Sequence, residues 1–570
     1  MLSLLANKLE KLYHWLGQLI ERYPKCPSIC LLALGGAVYL NALSNQLFWD
    51  DLDSIVNNVY IKDWHYWGRY FTENLIAGAG LLSNYWRPVL LLLYSIEWHI
   101  WGDWAAGFHL ISILIHLLSG VTLYWLLKDI TKRRLLSWLT ALVFLIHPLQ
   151  TEAVTYVAGL ADPLSAWLML LSLLWYWRHF MVDKLSVGQG KGYWLSLAFF
   201  ILAVMTKDKA IVLPALLVVV ELYNWQKFKQ LRFWAWCRQI IVRVWPWFGL
   251  VGGYLWLRAT VLNFQDTFNI YGYDNYYTQH LSARLWTFLS IVLEYFKLFF
   301  RPHDLHMERL VQVVASPWSA AVGAGALWLL LLIGLLIVSW HYNLDGWLGL
   351  LWLGGNLTPA SGVLTPVSGL MYEHYMYLPV VGWALFIFSW LLIGFSKFKK
   401  RYLIFIGALV GLVWLVFLSV VTWQRNAIWR DPITFYRNIL QYNQQSLRVW
   451  NNYGMALSDA GQYQDAVQAY RRAINLSKDN SAAPPYHNLA NALVKLGETQ
   501  AAIDNYRQAI SLDKHFYYSY NSLAALYISQ KNYVAARDIL KEGLQVMPDN
   551  NLFVYNLQVV DRLISQTSQP

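Results

Sequence analysis

Apolar residues recur in long runs from residue 27 to residue 422, separated by short polar stretches rich in Lys and Arg. A helix needs about 20 apolar residues to cross a bilayer, fewer where the membrane is locally thin. The pattern predicts about 11 transmembrane helices. They start near Ser28, Ala105, Leu135, Pro163, Tyr193, Ala210, Trp245, Pro317, Gly346, Met376 and Tyr402. Two further stretches, Trp86 to Trp101 and Leu285 to Phe300, are apolar enough either to span or to lie along the interface. Glu294 and Lys297 in mid-run place the second at the interface, and Glu97, His99 and Gly102 argue more weakly for the same in the first.

Composition agrees. Of the 570 residues 57% are hydrophobic and 14% charged, with a mean hydropathy of +0.35. A soluble protein carries roughly 25% charged residues, and a disordered chain needs low hydrophobicity, so neither class fits. The net charge of +11 does not point to nucleic acid, because the cations fall in short loops between apolar runs. The 32 Trp and 37 Tyr suit membrane interfaces. Three cysteines make no disulfide framework, and Cys26 and Cys30, one helical turn apart, read as packing residues. No small-residue cleavage site follows the first apolar run, so that run is expected to be retained.

With both ambiguous stretches lying flat, one side collects Lys8, Lys11, Arg22 and Lys25, then Lys128, Lys132, Arg133 and Arg134. It also collects Lys184, Lys191, Lys227, Lys229, Arg232, Arg238, Arg243 and Lys397 to Arg401. This positive-inside asymmetry predicts a cytoplasmic N-terminus and, with an odd number of spans, an outer C-terminal part. The outer side then holds Asp50, Asp51, Asp53, Arg69, Arg87, His147, Glu152, Asp162, Lys207 to Lys209, Arg258, Glu373 and His374.

Beyond residue 428 the chain is polar and alanine-rich, which divides it into a membrane part, 1–428, and a soluble part, 429–570. From Leu447 it repeats with a period of about 34 residues, the tetratricopeptide length. Gly454, Ala466 and Ala473 are matched by Ala490, Ala502 and Ala509, and by Ala524, Ala536 and Gly543. Small side chains at that spacing let two helices cross closely. The repeats cover 447–480, 483–516 and 517–550, with a capping helix over 551–564 and a helix within Trp429 to Asn443 at the other end. The fold class is all-α: a polytopic helical core followed by an α-solenoid that binds proteins and carries no chemistry.

Vicinal acids outside a first span admit two readings, a stop at the interface or a general base for a hydroxyl nucleophile. Arg87, Lys207 and Arg258 either snorkel or bind an anion such as a lipid phosphate. His147 reads as a packed residue. No His or Cys spacing suits zinc and no Gly-rich phosphate loop is present, so no metal ligand is assigned and a soluble nucleotide is not the substrate.

The stretches FWDDLDSIVNN, YWRPVLLLLYSIEWHIWG, GFHLISILIHLLSG, LIHPLQTEAVTYVAGLADPLSA, MTKDKAIVLPALL, NLTPASGV and YEHYMYLPVVG, in this order and followed by the repeats, resemble the transmembrane and tetratricopeptide repeat-containing O-mannosyltransferases and their bacterial relatives. These belong to the GT-C glycosyltransferases. The resemblance implies an integral membrane glycosyltransferase with a polyprenyl-phosphate sugar as donor and a Ser or Thr of an exported protein, recruited by the repeats, as acceptor. It implies a periplasmic active site in a bacterial inner membrane, or a luminal one in an endoplasmic reticulum. Asp50 and Asp51 match the family's acidic pair, with Asp50 as base. Asp162, with Glu152 nearby, matches the second-loop acid. Lys207 matches a basic position, and Glu373 the glutamate before the YLP motif. Leu160 and His374 stand where the family often has Arg. Transfer to a lipid or glycan, and a non-catalytic scaffold, remain alternatives.

Overall fold

The computed structural model describes residues 25–228, 232–264, 275–367, 369–397, 401–477 and 480–567, and no strand occurs among them. Lys8, Lys11, Arg22, Lys229, Lys399 and Lys400 lie outside the described residues. The chain divides into two units, Met1–Arg430 and Asp431–Pro570.

The longer helices of the first unit are α1 (Cys26–Tyr39), α2 (Pro88–Trp101), α3 (Ala105–Thr131), α4 (Arg134–Ile146), α5 (Ala161–Trp177) and α6 (Gly190–Val204). They continue as α7 (Leu213–Phe228), α8 (Phe233–Ala259), α9 (Leu281–Phe300), α10 (Ala320–Tyr342), α11 (Leu344–Leu357), α12 (Pro379–Lys397) and α13 (Arg401–Ile428). Eight helical stretches among the described residues are long and apolar enough to cross a membrane. This is a multi-pass membrane protein.

Three predicted spans, α4, α6 and α11, have only 13, 15 and 14 residues. At 1.5 Å per residue each reaches about 20–23 Å, short of a 30 Å hydrocarbon core. The apolar runs are longer, but α4 stops before Pro148 and α11 before a tighter turn, Thr358–Ser361, that contains Pro359. Another helix exceeds its expectation: α8 begins at Phe233 rather than near Trp245. Arg243 in its early turns pairs with Glu221 of α7 at 3.1 Å, so the charge does not end the helix.

The two ambiguous stretches, α2 and α9, each start and end at the same end of the bundle. The Trp138 indole of α4 donates to the Pro27 carbonyl, which puts the start of α1 beside the start of α4. At that end Arg133 pairs with Asp345 (3.2 Å), Arg178 with Asp129 (3.2 Å), and Lys227 donates to the Thr131 carbonyl (3.0 Å). The end of α1 therefore lies at the opposite end of the bundle, as does the start of α3, and α2 connects the two without leaving it. Within that stretch Ser95 donates to the Ile61 carbonyl (2.9 Å) and Tyr94 to the Val157 carbonyl (2.9 Å). Likewise Arg258 at the end of α8 donates to the Asn84 carbonyl at 2.6 Å, while α10 finishes beside Asp345, so α9 also starts and ends on one side. Its Glu294 and Lys297 pair with each other at 2.5 Å in an exposed position.

The second unit is a helical stack: α14 (Pro432–Tyr442), then the pairs α15 (Leu447–Asp459) and α16 (Tyr463–Leu476), α17 (Ala483–Lys495) and α18 (Thr499–Leu512), α19 (Tyr517–Ser529) and α20 (Tyr533–Val546), then α21 (Asn551–Thr567). The periodic small residues sit at the helix crossings. A Cβ on Gly454 would stand 2.5 Å from the Tyr470 ring, and one on Gly543 would stand 2.7 Å from Phe553. Phe553 and Val560 of α21 are fully buried, so this helix covers the apolar end of the stack.

Candidate functional site

Loops at the end of the bundle opposite the basic loops bring together side chains far apart in sequence. The first loop turns sharply at Trp49, whose φ of 59° lies in the left-handed region that bulky residues rarely adopt. Asp50 follows it and is exposed, beside the Tyr156 phenol. Asp51 is 1% exposed, and its carboxylate accepts from the Ala158 amide at 2.7 Å and the Phe48 amide at 3.2 Å. Burial raises its pKa to about 8, with Asp50 adding to the effect against the two amide donors. Asp51 is thus a clamp between the first and second loops. Of the predicted catalytic pair, only Asp50 is open to an acceptor.

The clamp reaches the turn that leads into α5, where Asp162 sits. Its carboxylate pairs with Lys207 at 2.7 Å and Lys209 at 3.6 Å. Lys207 is 9% exposed, and burial lowers its pKa to about 7 against the pull of Asp162. Lys209 also lies 4.2 Å above the Tyr375 ring. A small cavity of about 30 Å³ is lined by Asp162, Lys207, Lys209, Asn356, His374 and Tyr375, among others.

Arg87 stands apart from these pairs. It is 9% exposed, its charge is felt by Lys207, and its guanidinium lies 4.5 Å from the Tyr85 ring. Among the described residues it makes no side-chain hydrogen bond or ion pair, and its Nε is buried without a partner. Its charge is thus met by no anion of the described residues. Arg258, expected beside it as a phosphate ligand, instead donates to the Leu262 carbonyl (2.8 Å) and the Asn84 carbonyl (2.6 Å). Those bonds fasten the end of α8 to the first loop.

Glu152, Glu373 and His374 form a second cluster. Glu152 accepts from His374 Nδ1 at 2.6 Å and from the Glu373 and His374 amides at 2.9 and 3.2 Å. Burial opposes its ionisation, but His374 and Arg425 outweigh it and hold its pKa below the usual range. Glu373 pairs with Arg309 (3.2 Å) and Arg425 (3.4 Å). The sequence singled out neither arginine. Arg425 ends an apolar run and resembles a snorkelling residue, and Arg309 lies in a loop without a motif. His147 is packed as expected, bonded to the Phe299 carbonyl (2.9 Å) and the Leu149 amide (3.2 Å). Leu160 is fully buried.

Two tetratricopeptide repeat family profiles match residues 445–515 and 487–549. The human protein O-mannosyl-transferase TMTC4 is 25% identical over 76% of this chain and 64% of its own length. Human protein O-mannosyl-transferase TMTC1 is 24% identical over 81% and 58%, and the Caenorhabditis elegans protein O-mannosyl-transferase F38B6.6 is 23% identical over 79% and 62%. The chain therefore spans less than two thirds of the length of these relatives. The crystal structure of MamA protein, 22% identical over 23% of this chain and 72% of that one, superposes with a TM-score of 0.21, too low to inform the fold.

Proposed function

We propose that this chain, a TMTC-like multi-pass membrane protein with a tetratricopeptide tail, transfers a mannose-type sugar from a polyprenyl-phosphate donor to a Ser or Thr hydroxyl of a protein. The observation that supports this best is Arg87, a largely buried residue whose guanidinium has no anionic partner among the described residues, within electrostatic reach of Lys207. A lipid-linked phosphate supplies that anion while its tail stays in the bilayer, and Arg offers it a forked contact. Lys207, steered by Asp162, adds a point charge, and Lys209 stands behind it.

The exposed Asp50 carboxylate takes the acceptor proton. As it does so, the acceptor oxygen attacks the anomeric carbon from the face opposite the phosphate. The bond from that carbon to the phosphate oxygen breaks, and the leaving polyprenyl phosphate keeps the electron pair between Arg87 and Lys207. The product is inverted. The repeat unit recruits the acceptor protein.

The test is transfer from a labelled polyprenyl-phosphate mannose by the purified full chain. Asp50→Asn should retain donor binding and lose about 100- to 10,000-fold in turnover, the usual worth of a general base. Arg87→Gln should weaken donor binding before it affects acceptor binding. Undiminished turnover in Asp50→Asn and unchanged donor affinity in Arg87→Gln would overturn the reading. Removal of residues 447–570 should abolish transfer to protein, and transfer to a glycolipid surviving that removal would replace the protein acceptor with a lipid.

A further inference from the structure

We propose that the repeat unit contains a binding groove for an acidic peptide segment, at the junction of α14, α15 and α16. A cavity of about 490 Å³ lies there, between the last turns of α14 and α16 and the first turns of α15. Arg437 of α14 and Arg472 of α16 both line it, and both are exposed. Neither guanidinium has an ion pair, a side-chain hydrogen bond or an aromatic partner among the described residues, and no Asp or Glu lines the cavity. Two cations left facing one cavity make it a place for a carboxylate from outside.

The remaining lining defines the rest of the ligand. The Trp450 indole N–H is already used, donating to the Gln444 carbonyl at 3.0 Å, so the ring offers apolar surface to the cavity. Tyr453 stands one helical turn further along α15. Side-chain amides, Gln441 among them, supply hydrogen-bond groups of both kinds. Arginine only donates, and its planar fork matches a carboxylate. A neutral sugar, with a donor on every hydroxyl, would find acceptors only in the amides and the phenol. A segment with glutamates beside apolar side chains finds forked donors, amides and aromatic surface together. The volume, within the range of pockets that enclose sizeable ligands, holds more than a simple inorganic anion. Helical repeat stacks bind protein segments, and this groove requires no transfer reaction.

The test uses the full chain in detergent and fluorescence anisotropy of a fluorescein-labelled peptide rich in Glu and Leu, beside its counterpart with Gln in place of Glu. The acidic peptide should bind, more weakly as salt is raised, and the Gln counterpart should not. Combining Arg437→Gln with Arg472→Gln should weaken the acidic peptide by about tenfold or more. Arg537→Gln, in the same unit but outside the groove, should leave it unchanged. Should the double Gln variant unfold by circular dichroism, Arg437→Lys with Arg472→Lys serves instead: charge is kept, the fork is lost, and affinity should still fall. Equal binding of the two peptides, or undiminished binding by a folded groove variant, overturns the proposal. So does capture of phosphatidylglycerol vesicles through the two arginines by a chain that ignores the peptide.

Discussion

Neighbouring carboxylates take different parts according to what surrounds them: Asp50 is exposed, while Asp51 is enclosed and holds two amides of different loops. With the folded pKa raised to about 8, folding favours the protonated form of Asp51. Its contribution is complete below about pH 4, the unfolded value, and is lost as pH rises toward about 8. Asp51→Asn keeps a neutral acceptor of the same shape, so it should melt at or above the wild-type temperature near pH 8 and show no such gain near pH 4. Asp51→Ala strands the Ala158 and Phe48 amides and should cost about 1–3 kcal/mol per amide. Thermal melts of the purified variants across that range decide it, and an Asn variant less stable than wild type near pH 8 would refute the clamp. Lys207 gives a second pH dependence of opposite charge sense. Its pKa, lowered by burial to about 7, means that the cation is discharged as pH rises through that value. Donor affinity should therefore fall between about pH 6 and pH 8, and Lys207→Arg, which stays charged, should flatten the profile in a donor-binding titration. The acidic pair was legible in the sequence, but which member is buried was not. The partner that decides it, Ala158, is 107 residues away.

Helices were legible wherever an apolar run was long, and misjudged at their ends. Hydropathy does not register that a proline closes the ladder of α4 or that Glu221 neutralises Arg243 and lets α8 start earlier. Nor does it say which helices touch. Within the bundle α11 and α12 cross at Gly349 and Gly382, where a Cβ on Gly349 would stand 2.7 Å from the Gly382 carbonyl oxygen and 2.8 Å from the Phe386 amide. Apolar helices in lipid gain little from burying greasy surface, so close backbone approach at small residues holds them together. Gly382→Ala should push the pair apart, because the atoms in its way are backbone and cannot turn aside. Gly394→Ala, on the same helix with open space around it, is the matched control. Detergent melts should show a clear loss for the first and little change for the second, and equal melts would mean that the crossing is looser than its geometry.

At the scale of the molecule, eight of the described helical stretches are long enough to cross a membrane, while α4, α6 and α11 are shorter and α2 and α9 start and end at one end of the bundle. The alternation of basic and acidic loops predicts a topology of about eleven crossings, because a membrane sorts cations by side and so writes topology into composition. Assembly of the site was only half legible. Motifs named Asp162, Glu373 and Lys207, but the pairing of Glu373 with Arg309 and Arg425 depends on loops that meet only after the helices pack. With an odd number of crossings, as that pattern predicts, the start of α1 and the end of α13 emerge on opposite sides, so the repeat unit, which follows α13, should share the compartment of Asp50. Cysteine labelling in a chain lacking Cys26, Cys30 and Cys237 tests this. In intact cells a membrane-impermeant maleimide should label Asn480→Cys, and should reach Lys132→Cys and Lys399→Cys only after permeabilisation. If Asn480→Cys is instead the protected position, the basic loops face outward. The cations proposed to bind the donor phosphate would then lie on the cytoplasmic side, and the donor would have to present its sugar there.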